Sequence, residues 1–597
     1  MSMAIEDYAL ISDCHTAALV GRDGSIDWLC LPRYDSPSTF GALLGDEEHG
    51  RWLIAPAEQG ATSTRAYDGD TFILVTTWTT STGVVEVIDL MPHGDRRADV
   101  LRRVRAVSGH VEMVEELVIR FGYATAVPWV RQSRENGHSQ LVAIAGPDAL
   151  VRRGPHLTPR DTRHQGRFAV REGSHVDISL TWFPSHRQPP QALDFDERLA
   201  ETRAWWSSWS KSIMHDGPYA DAVMRSLLVL RALTHEDTGG IVAAATTSLP
   251  ETPGGVRNWD YRYVWLRDAS LTLQVLLANG FDAEAVNWRD WLLRAIAGDP
   301  ADIQIMYGLA GERDLPEREL TSLPGYQGAS PVRIGNGAAL QYQADVIGEV
   351  MMALHEARLA GAEETEFSWP LQRALMTFVE ENWQRPDNGI WEIRGELRHF
   401  THSRVMIWVA LDRAVRAVRE FGLDGPVETW ERLRDEVRTE IDTQGWNAER
   451  ATYTQYYGST DVDASLLLLP QSGFCAPTDA RMLGTVAAIE ADLLNDGLVM
   501  RYRTESAVDG LPAGEHPFLA CSFWLVEQWA GTGRLNDAVT LMDRLVSFTN
   551  DVGLLSEEYD PASGHQMGNT PQALSHLALV RAAEAIVRHS PPTTEEN

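Results

Sequence analysis

The sequence predicts two domains, an antiparallel β-sandwich followed by a closed helical toroid. Length is the first observation: 597 residues exceed one average domain and suffice for two or three separate cores. The second is the texture up to about residue 200. Short apolar or alternating runs (TFILVTTWTT, VVEVIDLM, VEELVIRF, HVDISLTWF) are divided by the turn sequences Arg22-Asp23-Gly24, Tyr67-Asp68-Gly69-Asp70 and Glu135-Asn136-Gly137. Many short strands in succession make a sandwich. The third is the texture of the remaining chain: about a dozen helical segments joined by loops rich in Gly, Pro, Trp and Asp.

The first domain is placed at residues 1–200. The polar helical stretch DFDERLAETRAWWSSWSKS, from about Asp194 to Ser212, connects the domains, with the linker drawn at 201–217 and the helical domain at 218–590. Helices are expected at 218–236, 268–279, 282–297, 338–360, 368–384, 402–420, 427–441, 479–493, 518–531, 534–548 and 571–588, with a shorter apolar piece near 462–469. Paired helices in this number suit a toroid, and an open array would give the same count. No repeated sequence period marks a solenoid.

Hydrophobic content of 44% and charged content of 23% are those of a folded globular chain. The net charge is 52 − 84 = −32, which repels nucleic-acid backbones and anionic membranes and leaves a neutral substrate as the easier partner. Cys14, Cys30, Cys475 and Cys521 have no CxxC spacing and sit among apolar residues, as buried free thiols of a reducing compartment do. The N-terminal stretch has neither the basic region nor the apolar core of a signal peptide, and no apolar run is long enough to span a membrane. A cytoplasmic protein is expected. His15 reads as a structural histidine.

The chemistry concentrates in three stretches. Arg257 to Ser270 (RNWDYRYVWLRDAS) interleaves Trp259, Tyr261, Tyr263 and Trp265 with Arg257, Asp260, Arg262, Arg267 and Asp268. Flat rings stack on the C–H faces of a sugar, and carboxylates and guanidinium groups bind its hydroxyls; an aromatic-rich surface turn would have the same composition. The loop PDNGIWEIRGELRHFTHS places Trp391 and Glu392 after an Asp387-Asn388-Gly389 turn, followed by Arg394, Glu396 and His399. The loop LLSEEYDPASGHQMGNTPQALSHLALV places Glu557, Glu558 and Asp560 before a helix entry at 568–571. Two carboxylates brought to one mouth of a toroid supply the acid and base of glycoside hydrolysis, and a tryptophan beside Glu392 limits its hydration and favours the protonated form. No HExxH or His/Cys cluster marks a metal site.

These stretches resemble glycoside hydrolase family fifteen, the inverting glucoamylases and trehalases, in its bacterial two-domain, trehalase-like form. The resemblance spans most of the chain: residues 16–40, RNWDYRYVWLRDAS, PVRIGNGAALQYQADVIGEV at 331–350, GIWEIRG at 389–395, HFTHSRVMIWVALDRA at 399–414, GSTDVDASLLLLP at 458–470, SEEYDP and GNTPQALSHLALV. It implies an N-terminal antiparallel β-sandwich and a C-terminal (α/α)6 barrel. The general acid of the family falls on Glu392 and the general base on Glu557. Glu558 stands where the family often has glutamine, so which of the two adjacent carboxylates touches the water stays open. The pair gripping the nonreducing glucose falls on Arg267 and Asp268, with Trp265 and Trp391 as pocket walls. Asp260, Arg262, Arg394 and Glu396 are further contacts, and Glu558 is carried as substrate-binding.

The resemblance further implies cleavage of an α-glucoside from its nonreducing end with inversion, the two carboxyls lying roughly 6.5–9.5 Å apart to admit water. No metal or organic cofactor is required for that chemistry, and dependence on phosphate or magnesium stays unknown. Residues 304–336 resemble the trehalase-like branch, which makes trehalose the first substrate. Malto- or isomalto-oligosaccharides are the alternative, and a noncatalytic sugar binder on the same fold is the reading from another class. Oligomeric state is not legible, and the tail HSPPTTEEN reads as frayed.

Overall fold

The computed structural model describes residues 2–94, 96–135, 138–213, 217–504, 508–512 and 514–591. The Glu135-Asn136-Gly137 turn, the end of the 201–217 linker and most of the tail lie wholly or partly outside the described residues.

The N-terminal domain is built on one long strand, Asp99–Val118. Its first part pairs with Gly83–Leu90 and His175–Pro184, and its second with Arg51–Pro56 and Arg163–Arg171, so it belongs to two antiparallel sheets in turn. The change of sheet falls at Ser108 and Gly109, where the register with Gly83–Leu90 slips and Gly109 takes φ +68°, a conformation glycine adopts without steric cost. Trp28 and Trp52 from one sheet share a hydrophobic cluster with Val85, Val87 and Val104 from the other.

The connector is a packed helix, Phe195–Ser210, beginning earlier than the expected linker; the Asp194 carboxylate caps it by accepting from the Glu197 N–H at 3.0 Å. Trp206 packs on Phe72 of the first domain, and Trp209 stacks on Phe281 of the second.

In the C-terminal domain the helices alternate between two rings. The inner ring runs Leu266–Ala278, Asp345–Leu359, Thr401–Phe421, the 3₁₀ turn Ala464–Leu468, Leu519–Gly531 and Ala573–His589. Each packs on the next, and the last returns to the first, so the toroid is closed. The outer ring is Ala220–Ala232, Asp282–Ala295, Ser368–Asn382, Val427–Gln444, Ala480–Leu493 and Leu535–Val546. Val427–Gln444 buries only Val427, Trp430, Leu433, Val437 and Ile441, the single stripe of an amphipathic helix, whereas Asp345–Leu359 is buried nearly all round. The apolar piece near 462–469 is the 3₁₀ turn, capped by Asp463 and stopped before Pro470. The four cysteines are free. Among the described residues no helix is long and apolar enough to cross a membrane.

This alternation has a functional consequence. Every connection from an outer helix to the following inner one emerges at the same end of the barrel, and these are the long connections. The sandwich sits on that end. Trp28 Nε1 donates to the Ala245 carbonyl at 2.9 Å, Arg65 pairs with Asp551 at 2.8 Å, and Asn550 Nδ2 donates to the Tyr8 carbonyl at 2.9 Å. At the centre of the junction Arg262 pairs with Asp260 at 2.7 Å, both side chains wholly buried, and donates to the Ser36 carbonyl and the Tyr123 hydroxyl at 2.9 Å.

Arg262→Ala leaves Asp260 charged and buried without its partner. A loss of roughly 3–5 kcal/mol in unfolding free energy is expected, measured by urea denaturation. A midpoint within error of the parent would mean that the junction does not depend on this pair.

Candidate active site

The aromatic stretch from Arg257 is extended backbone running antiparallel to residues 243–251, with the Ser248 N–H on the Trp259 carbonyl and the Ala244 N–H on the Tyr261 carbonyl. Side chains of an extended segment alternate between its two faces. Arg257, Trp259 and Tyr261 line a cavity at the loop end of the barrel; Asp260 and Arg262 point the other way, into the domain junction. The stretch then enters an inner helix, whose first turn carries Arg267 and Asp268. Arg267 Nε donates to Asp268 at 2.7 Å and Nη1 to the Ile390 carbonyl at 2.8 Å, which orients both groups at the positive end of the helix dipole.

Glu392 is held by a tight turn. The buried Asp387 carboxylate accepts from the Gly389 and Ala344 N–H groups, both at 3.1 Å, and from the Ser403 hydroxyl at 2.6 Å, while Asn388 Nδ2 donates to the Ile393 carbonyl at 2.7 Å. Glu392 itself sits in the left-handed region at φ +58°, which a residue with a Cβ occupies at a cost of about 1–3 kcal/mol. Its Oε1 accepts from Trp265 Nε1 at 2.5 Å. Burial raises the carboxyl above the ordinary glutamate range, opposed by Arg267 and the Trp265 hydrogen bond.

Glu557 comes from the connection before Ala573–His589, where its carbonyl accepts from the Leu519 N–H at 3.1 Å. Its Oε1 accepts from the Tyr261 hydroxyl at 2.5 Å and lies 4.0 Å from Arg501 Nη1. Burial raises this carboxyl, as does the charge of Glu251; Arg501, Tyr261 and the Asn569 N–H work against them. Gly568, at φ +76°, passes so close that a Cβ there would stand 2.6 Å from that of Glu557.

Both carboxyls therefore reach one open-mouthed cavity at the loop end of the barrel. Their two aromatic donors, Tyr261 and Trp265, meet edge to face at 5.5 Å. Of the residues expected from sequence, Trp265, Arg267, Asp268, Trp391, Glu392, Arg394 and Glu557 line it. Four others do not. Glu558 follows Glu557 on the opposite face and binds the His516 N–H at 2.9 Å and Arg501 at 3.2 Å. Asp260 and Arg262 are committed to the junction, and Glu396 is exposed beside Arg398. Arg257, Trp259 and Tyr261, expected from sequence as part of a sugar-binding stretch, line the cavity as well, and so do Glu251, Arg501, Tyr502 and Asp509, for which no role was expected. Alternation along 257–262 was the available signal for the facing of the first stretch; Glu251 lies earlier in the same connection, and Arg501 and Asp509 lie in the connection before Leu519–Gly531, none of them in a local motif.

Two family models cover the chain: "Glycosyl hydrolases family 15" over residues 217–584 and "Trehalase-like, N-terminal" over residues 1–174. This chain belongs to glycoside hydrolase family 15. The hydrolase is 38% identical to a trehalase of Mycobacterium tuberculosis over 98% of its own length and 90% of that protein. It is 34% identical to a trehalase of Thermoplasma acidophilum, covering 95% and 97%. A bacterial glucoamylase solved in complex with acarbose shares its fold, with a TM-score of 0.75 at 12% identity over 99% of this chain and 95% of that one. Its C-terminal domain is accordingly an (α/α)6 barrel of the glucoamylase kind behind an antiparallel β domain.

Gly568→Ala should push the Glu557 carboxylate out of place. Turnover is expected to fall at least about tenfold with the far-ultraviolet circular dichroism unchanged; full activity would show that the Glu557 position is not critical.

Proposed function

We propose that this hydrolase cleaves trehalose to two glucose molecules with inversion, by attack at the nonreducing α-glucosyl unit. The observation that carries the reading is the convergence of two buried carboxyls from different connections on one cavity, each held by an aromatic donor from the same segment. Trehalose is supported by relatives named trehalase that match nearly the whole chain. The four free thiols, three buried and that of Cys475 half-buried, support a reducing, cytoplasmic setting.

Arg267 and Asp268 bind the hydroxyls of the nonreducing glucose, with Trp265 and Trp391 as walls. Glu392, whose protonated form burial favours, donates to the glycosidic oxygen as the C–O bond breaks. Glu557, the carboxylate of the adjacent pair that reaches the cavity, takes a proton from the water that attacks C1 from the opposite face. Arg394 reaches the cavity from the turn that carries Glu392 and pairs with Glu317 at 2.7 Å, which suits it to the second glucose. The chemistry uses acid and base alone, and the substrate is a small neutral sugar.

Proton NMR at early times tests substrate and stereochemistry together. Trehalose should give equal α- and β-glucose, since one half leaves with its configuration and the other is inverted. Turnover of maltose or isomaltose alone would move the assignment to the oligosaccharide reading, and no turnover of any α-glucoside would end the catalytic one.

Glu392→Gln and Glu557→Gln should each lower kcat by about 10²–10⁴-fold while sugar binding, read by calorimetry, persists. A pure binder would have no rate to lose.

The pH dependence arises from the same burial. Glu557 must be ionised and its pKa is raised, so kcat/KM falls as pH drops through a value above the ordinary glutamate pKa of about 4.3. Glu392 must be protonated and is also raised, so the alkaline limb moves up as well. The whole profile is therefore displaced to higher pH than two ordinary glutamates would give; an optimum near pH 4 would contradict this.

A further inference from the structure

Behind Glu557 the wall of the cavity holds a concentration of charge that the reaction itself does not use. Arg501 stands among four glutamates. Its Nη2 lies 2.8 Å from Glu251, 2.7 Å from Glu515 and 3.2 Å from Glu558, and its Nη1 lies 4.0 Å from Glu557. A second guanidinium, Arg257, reaches Asp509 at 2.5 Å, Glu515 at 3.8 Å and Glu251 at 4.0 Å. None of the five carboxyl groups is more than 3% exposed.

Charge counting gives the consequence. Five carboxyls against two guanidinium groups leave 5 − 2 = 3 uncompensated negative charges if all ionise. Burying even one unpaired charge costs several kcal/mol, so the cluster retains protons. Oxygens of Glu251, Glu515 and Glu558 lie within 4.8 Å of one another, a spacing that suits a cation, and the Arg501 guanidinium supplies it. Only the planar fork of arginine spans three carboxylates and still faces a fourth; the compact ammonium of lysine does not.

Glu557 is faced by the Tyr261 hydroxyl, by Glu251, by Arg501, by Glu515 beyond that arginine, by the Asn569 N–H and by Glu558, its neighbour in the chain. The aromatic hydroxyl and the amide direct the carboxylate, and Arg501 is the cation closest to it.

We propose that Arg501 is the positioning residue of the base: clamped by Glu251, Glu515 and Glu558, it is held 4.0 Å from Glu557, where its charge favours the ionised form of that carboxyl. The proposal deepens the preceding reading and rests on Glu557 being the base. Burial raises Glu515 and Glu558 as it does Glu557, and Arg501 is what opposes the rise at all three.

The test is the pH profile of kcat/KM for the full chain, its Arg501→Gln and Glu515→Gln variants and the double variant, each checked for folding by circular dichroism. Arg501→Gln should raise the acidic limb by about one pH unit or more and lower kcat, with KM within about threefold, because a cation 4 Å away is lost. Glu515→Gln, which lies off the cavity wall, should move the limb down, and the double variant should return it toward the parent. If Arg501→Gln does not fold, Glu515→Gln alone decides.

An unmoved limb in the folded variants, or a rise in KM with kcat intact, overturns the proposal; the latter would place Arg501 on the sugar. Calorimetric binding of a cationic iminosugar against pH follows the ionisation of Glu557 without turnover. A parent that binds it but hydrolyses no α-glucoside would refute the proposed function, while a moved binding limb in Arg501→Gln would still support the role of Arg501.

Discussion

The buried ion pair between Asp260 and Arg262 fixes the segment on which the site depends. With these two side chains committed to the sandwich, alternation turns Arg257, Trp259 and Tyr261 toward the barrel mouth, and the adjoining helix delivers Arg267 and Asp268. The β domain thus acts at a distance. Among the described residues it supplies none that lines the cavity, yet it holds the backbone from which both aromatic donors project.

The barrel supplies the second constraint. Because outer and inner helices alternate, connections far apart in sequence open at one end, where the inner helices begin. Groups near 251, 392, 501 and 557 meet there without any one connection having to be long enough to fold alone. Inner-helix dipoles favour negative charge at that end, which helps to accommodate Asp268 in a first turn. Arginines answer the remaining acids: Arg267 beside Asp268 and Arg501 among the glutamates.

Much of this was legible in the sequence, for physical reasons. The outer helix Val427–Gln444 announces itself through one apolar stripe, and the strands before residue 200 through short apolar or alternating runs divided by turn sequences. One inner helix, buried nearly all round, differs from its expected bounds: 338–360 was expected, and the helix begins at Asp345 after a 3₁₀ turn. Site residues inside a strong motif were legible as types. Their facing was not: Asp260, Arg262 and Glu558 neighbour cavity residues and point away, because alternation assigns faces in pairs without saying which face meets the pocket. Glu251 and Arg501 were hidden differently, since their significance exists only once separate connections converge.

The backbone of Glu392 has a consequence for how this sequence can change. Its left-handed conformation suits glycine or asparagine better than glutamate, and the surrounding turn enforces it. Selection for heat resistance alone would therefore drift toward those residues at position 392, relaxing the chain while discarding the carboxyl. The tension between folding well and keeping that group is local, confined to one peptide unit, and it makes position 392 a place where improved thermostability would itself be a warning sign.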